Sequence, residues 1–178
     1  MGVSPSLTSY YTTSGTEIEI CIAPPHQFAV RWQKELLPGW NDPLNHIIII
    51  LQKSSVSLAE TTDKVAFEKN RLRAKFIRLG CGLIFTLQDQ NYVGDLIDPR
   101  TGLPLLTNPG WVWDDNAVVQ ALLNYPVSSY QNCTLLTHPV WNHHVYPGTI
   151  VASAPQKVIE PSLSRIMANY NSSLKIDN

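Results

Sequence analysis

The stretch HIIIILQK, residues 46–53, restricts the possible folds more than any other part of the chain. Isoleucine is stiff at its β-carbon and favours extended backbone. A run of such residues with no polar alternation is a strand covered on both faces. The fold therefore needs an apolar layer on each side of this strand. A chain of 178 residues, 44% hydrophobic and 15% charged, is large enough to supply both layers within one domain. The run is too short by more than half to cross a bilayer, which takes about 20 apolar residues, and no other segment approaches that length.

The remaining elements arrange themselves around that strand. TEIEICIA (16–23) alternates Ile18, Ile20 and Ile22 against Glu17, Glu19 and Cys21, the pattern of a half-buried strand. In PPHQFAVRWQKELLPGW, Phe28, Val30, Trp32 and Leu36 recur at helical spacing, and Pro38-Gly39 stops the helix. A long helix is expected from about Glu60 to Gln88. Leu72, Phe76, Leu79, Leu83, Ile84 and Leu87 form its apolar face, and Lys69, Arg71, Lys75 and Arg78 a solvated one. Gly80 and Gly82 inside it read as places of close packing, since each weakens the helix by about 1 kcal/mol relative to alanine.

NYVGDLIDPRTGLPLL (91–106) predicts a short strand and then a turn built on Asp98, Pro99 and Gly102. Asp114 and Asp115 begin a short helix, where the helix dipole favours acids. CTLLTHPVW and HHVYPGTIVAS read as the two arms of a hairpin, and PSLSRIMANY as a terminal helix starting at Pro161 or Ser162. The first fifteen residues, rich in Ser and Thr without period, read as a flexible leader before a single domain over 16–178. The expected architecture is a layered α/β (α+β) domain, helices flanking a mixed sheet.

Thirteen basic and fourteen acidic residues, with no long basic run, exclude a nucleic-acid footprint and a basic membrane patch. Cys21, Cys81 and Cys133 are an odd, widely spaced set, which points to a reducing compartment and a cytoplasmic protein. Glycine-rich phosphate loops of the G-x-G-x-x-G and G-x-x-x-x-G-K types are missing. Asp95 and Asp98 are the carboxylates to weigh for acid–base chemistry, with the turn the better reading of Asp98.

QNCTLLTHPVWNHHVYPG (131–148) concentrates one cysteine and three histidines. Zinc sites draw on closely spaced ligand pairs that converge tetrahedrally. Here Cys133 and His138 lie five apart, and His143 and His144 are adjacent, so on strands each pair points to opposite faces. The spacing predicts no metal site of the chain's own and no Cys-His nucleophile, but histidines along a hairpin rim. What remains is Cys133, preceded by a polar stretch and set at a strand start. An accessible thiolate is a soft ligand for a metal centre brought by something else.

The chain resembles the cobalamin-trafficking CblD family (methylmalonic aciduria and homocystinuria type D) from about Thr16 to Ala168. Tyr92, Asp95, Ile97, Asp98, Pro99, Gly102 and Leu103 match in NYVGDLIDPRTGL. Cys133, His138, Trp141, His144 and Gly148 match in NCTLLTHPVWNHHVYPGTI. The resemblance implies a modified flavin-reductase, nitroreductase-like fold without tightly bound flavin (FMN) or cobalamin. It implies a non-catalytic adaptor that docks on a CblC-like carrier and serves the methionine synthase or methylmalonyl-CoA mutase branch. It also implies that a cysteine of this loop gives its thiolate to the cobalt of carrier-held cobalamin, with His138 and His144 as neighbours and Asn132 and Trp141 as partner contacts. The family pattern has two successive cysteines, the first being the ligand; here that position is Asn132, which carries no thiolate. Either Cys133 takes over the role or the cobalt bond is lost. The competing readings are an FMN-dependent oxidoreductase of the same superfamily and an interaction module unrelated to cobalamin. Trp111, Trp113 and Trp141 are interface anchors or core residues.

Overall fold

The computed structural model describes residues 5, 7–11, 17–130 and 133–173. Their order is β1 (Leu7–Tyr11), β2 (Glu17–Ala23), α1 (Gln27–Arg31), α2 (Gln33–Leu36), β3 (His46–Lys53), α3 (Asp63–Gln88), β4 (Gly94–Leu96), α4 (Asp115–Leu123), β5 (Val127–Tyr130), β6 (Cys133–Leu136), β7 (Val145–Ala152) and α5 (Gln156–Ser173). No helix among the described residues is long and apolar enough to cross a membrane.

The isoleucine run forms β3, the middle of a five-stranded sheet ordered β1-β2-β3-β7-β4. Ile47, Ile48, Ile49, Ile50 and Leu51 are all buried. Alternate residues feed two different cores, as the two-residue period of a strand requires. Ile48 and Ile50 join Ile18, Ile20, Leu96 and Ile150 beneath α3 and α5. Ile47, Ile49 and Leu51 pack with Cys21, Ala23, Val145 and Val151 against α1, α2, α4 and the β5–β6 ribbon. The domain is thus three layers deep, as that run demanded.

Every pairing in the sheet is antiparallel, which corrects the mixed sheet expected from the element order. The strands β3 and β4, joined through α3, do run in the same direction, but β7 returns between them and pairs with both. The expected hairpin is corrected for the same reason. β6 pairs with β5, Tyr130 opposite Cys133, while β7 belongs to the main sheet. Within the polar stretch before Cys133, Val127–Tyr130 form a strand. Within the expected leader, Leu7–Tyr11 adds an edge strand to β2.

β2 is half-buried only at its start. Its last residues have cover on both sides, because Cys21 and Ala23 enter the α1–α2 core while Ile22 packs toward α3. The expected helix after Pro25 breaks at Trp32 into α1 and α2. That rotates the buried face onto Ala29, Leu36 and Leu37 and leaves Phe28 and Val30 exposed. α3 starts at Asp63, capped by Thr62, whose hydroxyl accepts the Val65 amide at 3.3 Å. α5 begins five residues before Pro161, which lies inside it.

Close packing at glycine ties α3 to the sheet. At Gly80 a side chain would press on Leu96, and a β-carbon on Gly148 of β7 would sit 2.5 Å from the Phe76 ring. Gly148→Ala is expected to lower stability by about 1–3 kcal/mol, because the ring and strand must separate. Urea unfolding checks this. Phe76→Leu in the Gly148→Ala background should cost less than the sum of the two single changes; strict additivity would place the strain elsewhere.

Candidate functional site

An open cavity of about 840 Å³ lies beside the sheet, within the size range of small-molecule pockets. One wall is the first half of α3, with Ala66, Lys69, Asn70 and Arg73; the 99–102 turn and residues 112–116 entering α4 form another. Thr134, Leu135 and Leu136 of β6 and Val145, Tyr146 and Pro147 of β7 complete it.

Each wall is fastened by a specific polar contact. Arg73 donates from Nε and Nη2 to the two carboxylate oxygens of Asp98, both at 2.7 Å. This paired geometry holds the Asp98 carboxyl below its usual range, chiefly through the Arg73 hydrogen bonds and against the cost of burial. Asp98 also accepts the Arg100 amide at 3.0 Å, and its carbonyl accepts the Thr101 and Gly102 amides. Gly102 has φ +71°, and a β-carbon there would collide with the Trp113 carbonyl, so the turn requires glycine. The expected turn role of Asp98, Pro99 and Gly102 thus has a concrete form, with an ion pair added.

Asp95 is fully buried and accepts from the Leu96, Leu105, Leu106 and Thr107 amides and from the Thr107 hydroxyl. Its oxygens are consumed in holding the 105–107 segment. On the opposite wall, Asn116 Nδ2 donates to the Thr134 hydroxyl at 2.8 Å and to its carbonyl at 3.2 Å, fixing β6 to α4.

Asp114 caps α4 as expected, accepting the Asn116 and Ala117 amides. Asp115 does more than start the helix. It accepts the Thr149 hydroxyl of β7 at 2.6 Å, and it keeps part of its surface open to the cavity while protein crowds it on all sides. Burial, opposed by the Thr149 bond and aided by Asp114 and Asp98, pushes its carboxyl up to about 7. Tyr146 stands beside it in the lining, and burial raises its phenol as well. The cavity therefore holds a carboxyl near its titration midpoint, a neutral phenol, and the cations Lys69, Arg73 and Arg100. Trp113 adds an apolar surface and a buried indole N–H without a partner.

Cys133 opens β6, adjacent in the chain to Thr134 of the cavity wall, and its side chain is exposed. It is the exposed thiol of the three. Cys21 is buried, which drives its thiol up to about 11, and burial also raises Cys81.

The histidines turn away from one another. His138, expected on a rim, is 2% exposed and lies within the fold. Its Nδ1 accepts the Val140 and Trp141 amides, so Nε2 carries the proton and donates to Glu19 at 2.9 Å. His143 and His144 reach the carbonyls of Leu136 and Ser54. No set of three or more metal-ligating side chains converges among the described residues. Trp141 is 6% exposed and stacks on His138 with ring centroids 4.1 Å apart, and Trp113 is buried too. Trp111 is 48% exposed and leans on Trp32. Asn132 lies outside the described residues.

Sequence reasoning did not single out Lys69, Arg73 or Tyr146, and it read Asp115 only as a helix start. The available signal for Arg73 was its place on α3, three residues before Phe76 and toward the core side, where an unpaired cation needs an acid.

These features define an α/β domain with an open cleft of mixed polar and apolar lining and an exposed thiol one residue from its wall. A family model for the methylmalonic aciduria and homocystinuria type D protein matches residues 4–162, and the chain belongs to that family. Similar curated proteins are the cobalamin trafficking protein CblD of Rattus norvegicus, 25% identical over 84% of this chain and 50% of that protein, and that of Homo sapiens, 28% identical over 66% and 40%. The chain spans about half or less of the length of these relatives.

A pH measurement checks the Asp115 assignment. The folded chain keeps the Asp115 proton up to about pH 7, whereas an unfolded aspartate releases it near 3.8. Between those values the native state holds the extra proton, so stability from this group is greatest at low pH and falls as pH rises through 7. Asp115→Asn should flatten that slope and exceed wild type by about 1–3 kcal/mol near pH 8, read from urea unfolding across the range. Equal slopes would mean that Asp115 ionises freely.

Proposed function

We propose that the chain acts in cobalamin trafficking as a non-catalytic adaptor. It docks on a CblC-like carrier through the cavity edge and presents the Cys133 thiolate to the cobalt of the cobalamin that the carrier holds. The observation that carries this reading is the exposed thiol at the start of β6, next to the cavity wall, in a chain of this family. A thiolate is a soft, polarizable ligand suited to such a centre. The chain's own residues supply the rest of the lip: Asn116 pins β6 through Thr134, so the thiol is offered from a fixed strand and not from a free loop. Delivery then proceeds to the methionine synthase or the methylmalonyl-CoA mutase branch. The antiparallel sheet, with α3 and α5 on one face, is read as a modified nitroreductase-like fold, and three unpaired thiols suit the cytoplasm.

The test is an absorption spectrum of cobalamin bound to a CblC-like carrier, recorded with and without this protein. A shift to a thiolate-ligated spectrum with wild type, lost with Cys133→Ser while carrier binding persists, is the expected result. An unchanged spectrum with intact carrier binding would remove the cobalt bond and leave a docking adaptor. Failure to bind the carrier at micromolar concentration would turn the reading to an interaction module outside cobalamin metabolism. A yellow preparation with flavin absorbance would turn it to an FMN-dependent oxidoreductase.

A further inference from the structure

The outer face of α3 carries a pattern that the cavity does not use. At about 100° per residue, Phe67, Arg71, Ala74, Arg78, Cys81 and Phe85 lie within about 40° of the line opposite Phe76, which is buried in the core. Their steps of four and three residues are those of a helix-packing seam. Phe67 is 72% and Phe85 52% exposed, large apolar rings at the two ends of the seam, about 27 Å apart along the axis.

Between the rings the seam is low and basic. Ala74 is small, as is the half-buried Cys81, which also packs against the core; Arg78 stands close to the line, Lys75 at its flank about 80° away, and Lys64 just beyond Phe67. Glu68, the acid that faces Lys75, is already bound by Arg71 at 2.6 and 2.7 Å. That pairing holds the Glu68 carboxyl down at about 2, so it stays committed to Arg71. Burial and then the neighbouring Arg71 pull the Lys75 ammonium below its ordinary value, with Glu68 opposing them.

We propose that this face docks an amphipathic helix of a partner protein whose seam is acidic at its centre and apolar toward both ends. The small residues admit close approach of a second helix, the two rings anchor its ends, and its acids meet the cations between. A second copy of the chain fits worse. Antiparallel pairing about Phe76 would set Phe67 against Phe85, yet it would bring both sets of Arg71, Lys75 and Arg78 into one interface. An anionic membrane fits worse as well, because Asp63 and Asp89 close the two ends of the same face and the rings are separated by polar ground.

The test uses the full chain and two labelled synthetic helices, one with leucines at the end positions of the seam and glutamates at its centre, the other with lysines replacing the glutamates. Fluorescence anisotropy should give saturable binding of the acidic helix, weakened by added salt, and no comparable binding of the basic one. The pair Phe67→Ser with Phe85→Ser, and separately Lys75→Glu with Arg78→Glu, should each weaken binding by roughly tenfold or more. The second pair should also gain affinity for the basic helix. All four side chains lie outside the two cores, so far-UV circular dichroism should stay as in wild type. No binding of the acidic helix, equal binding of both helices, or indifference to the substitutions would overturn the proposal. Dimerisation by sedimentation that the same substitutions abolish, or recruitment to phosphatidylserine vesicles without helix binding, would assign the face to those occupants instead.

Discussion

β3 has no face that tolerates water, and most of the architecture follows from covering it. Five consecutive residues from Ile47 to Leu51 are buried, alternate members entering opposite cores. One core needs a long helix to roof it, which α3 supplies; the other is closed by smaller pieces, α1, α2, α4 and the β5–β6 ribbon. The difference matters for function. A single long helix makes a continuous roof, whereas short elements meet at joints. The cavity lies where the overhanging first half of α3 meets such a joint, between α4, β6 and the 99–102 turn.

Polar contacts tie together the elements that meet at that joint. The Arg73–Asp98 pair spans from α3 to the turn, and the Thr149–Asp115 bond spans from β7 to α4. Both join separate elements rather than running along one. Burying a carboxylate costs free energy unless it is paired or protonated. The two aspartates take the two available routes: Asp98 is held ionised by a guanidinium, and Asp115 is pushed toward its neutral form. Two acids seventeen residues apart in sequence (98 and 115) therefore present opposite electrostatics around one cleft.

The sequence made the central elements legible because they carry strong periodicity. β3, α3, the Asp98–Gly102 turn and the start of α4 at Asp114 appear where apolar period, proline, glycine and capping chemistry put them. Strand partners were less legible. The pairing of β6 with β5, and the insertion of β7 between β3 and β4, depend on contacts far apart in the chain that no local pattern encodes. The histidines misled for a related reason. His138 and Glu19, 119 residues apart, look like surface groups separately, yet His138 is buried with its ring N–H on the half-buried Glu19. Lys69 read as part of a solvated helix face, yet it lines the cavity together with Arg73.

The same distinction bears on Cys133. Moving a ligand by one residue along a strand normally reverses the face it points to, which weighs against Cys133 replacing the cysteine that the family pattern has at position 132. That reversal is complete only inside a strand, where neighbours on both sides fix the pleat. Cys133 is the first residue of β6, paired opposite the last residue of β5, and it is exposed along with Thr134. Alternating burial begins only with Leu135 and Leu136. At such an end the side chain's direction is set by one neighbour, Thr134, which Asn116 holds. A one-residue shift there costs less in geometry than it would two residues further in. Cys133 therefore stands exposed at the end of its strand, where the pleat constrains its direction least.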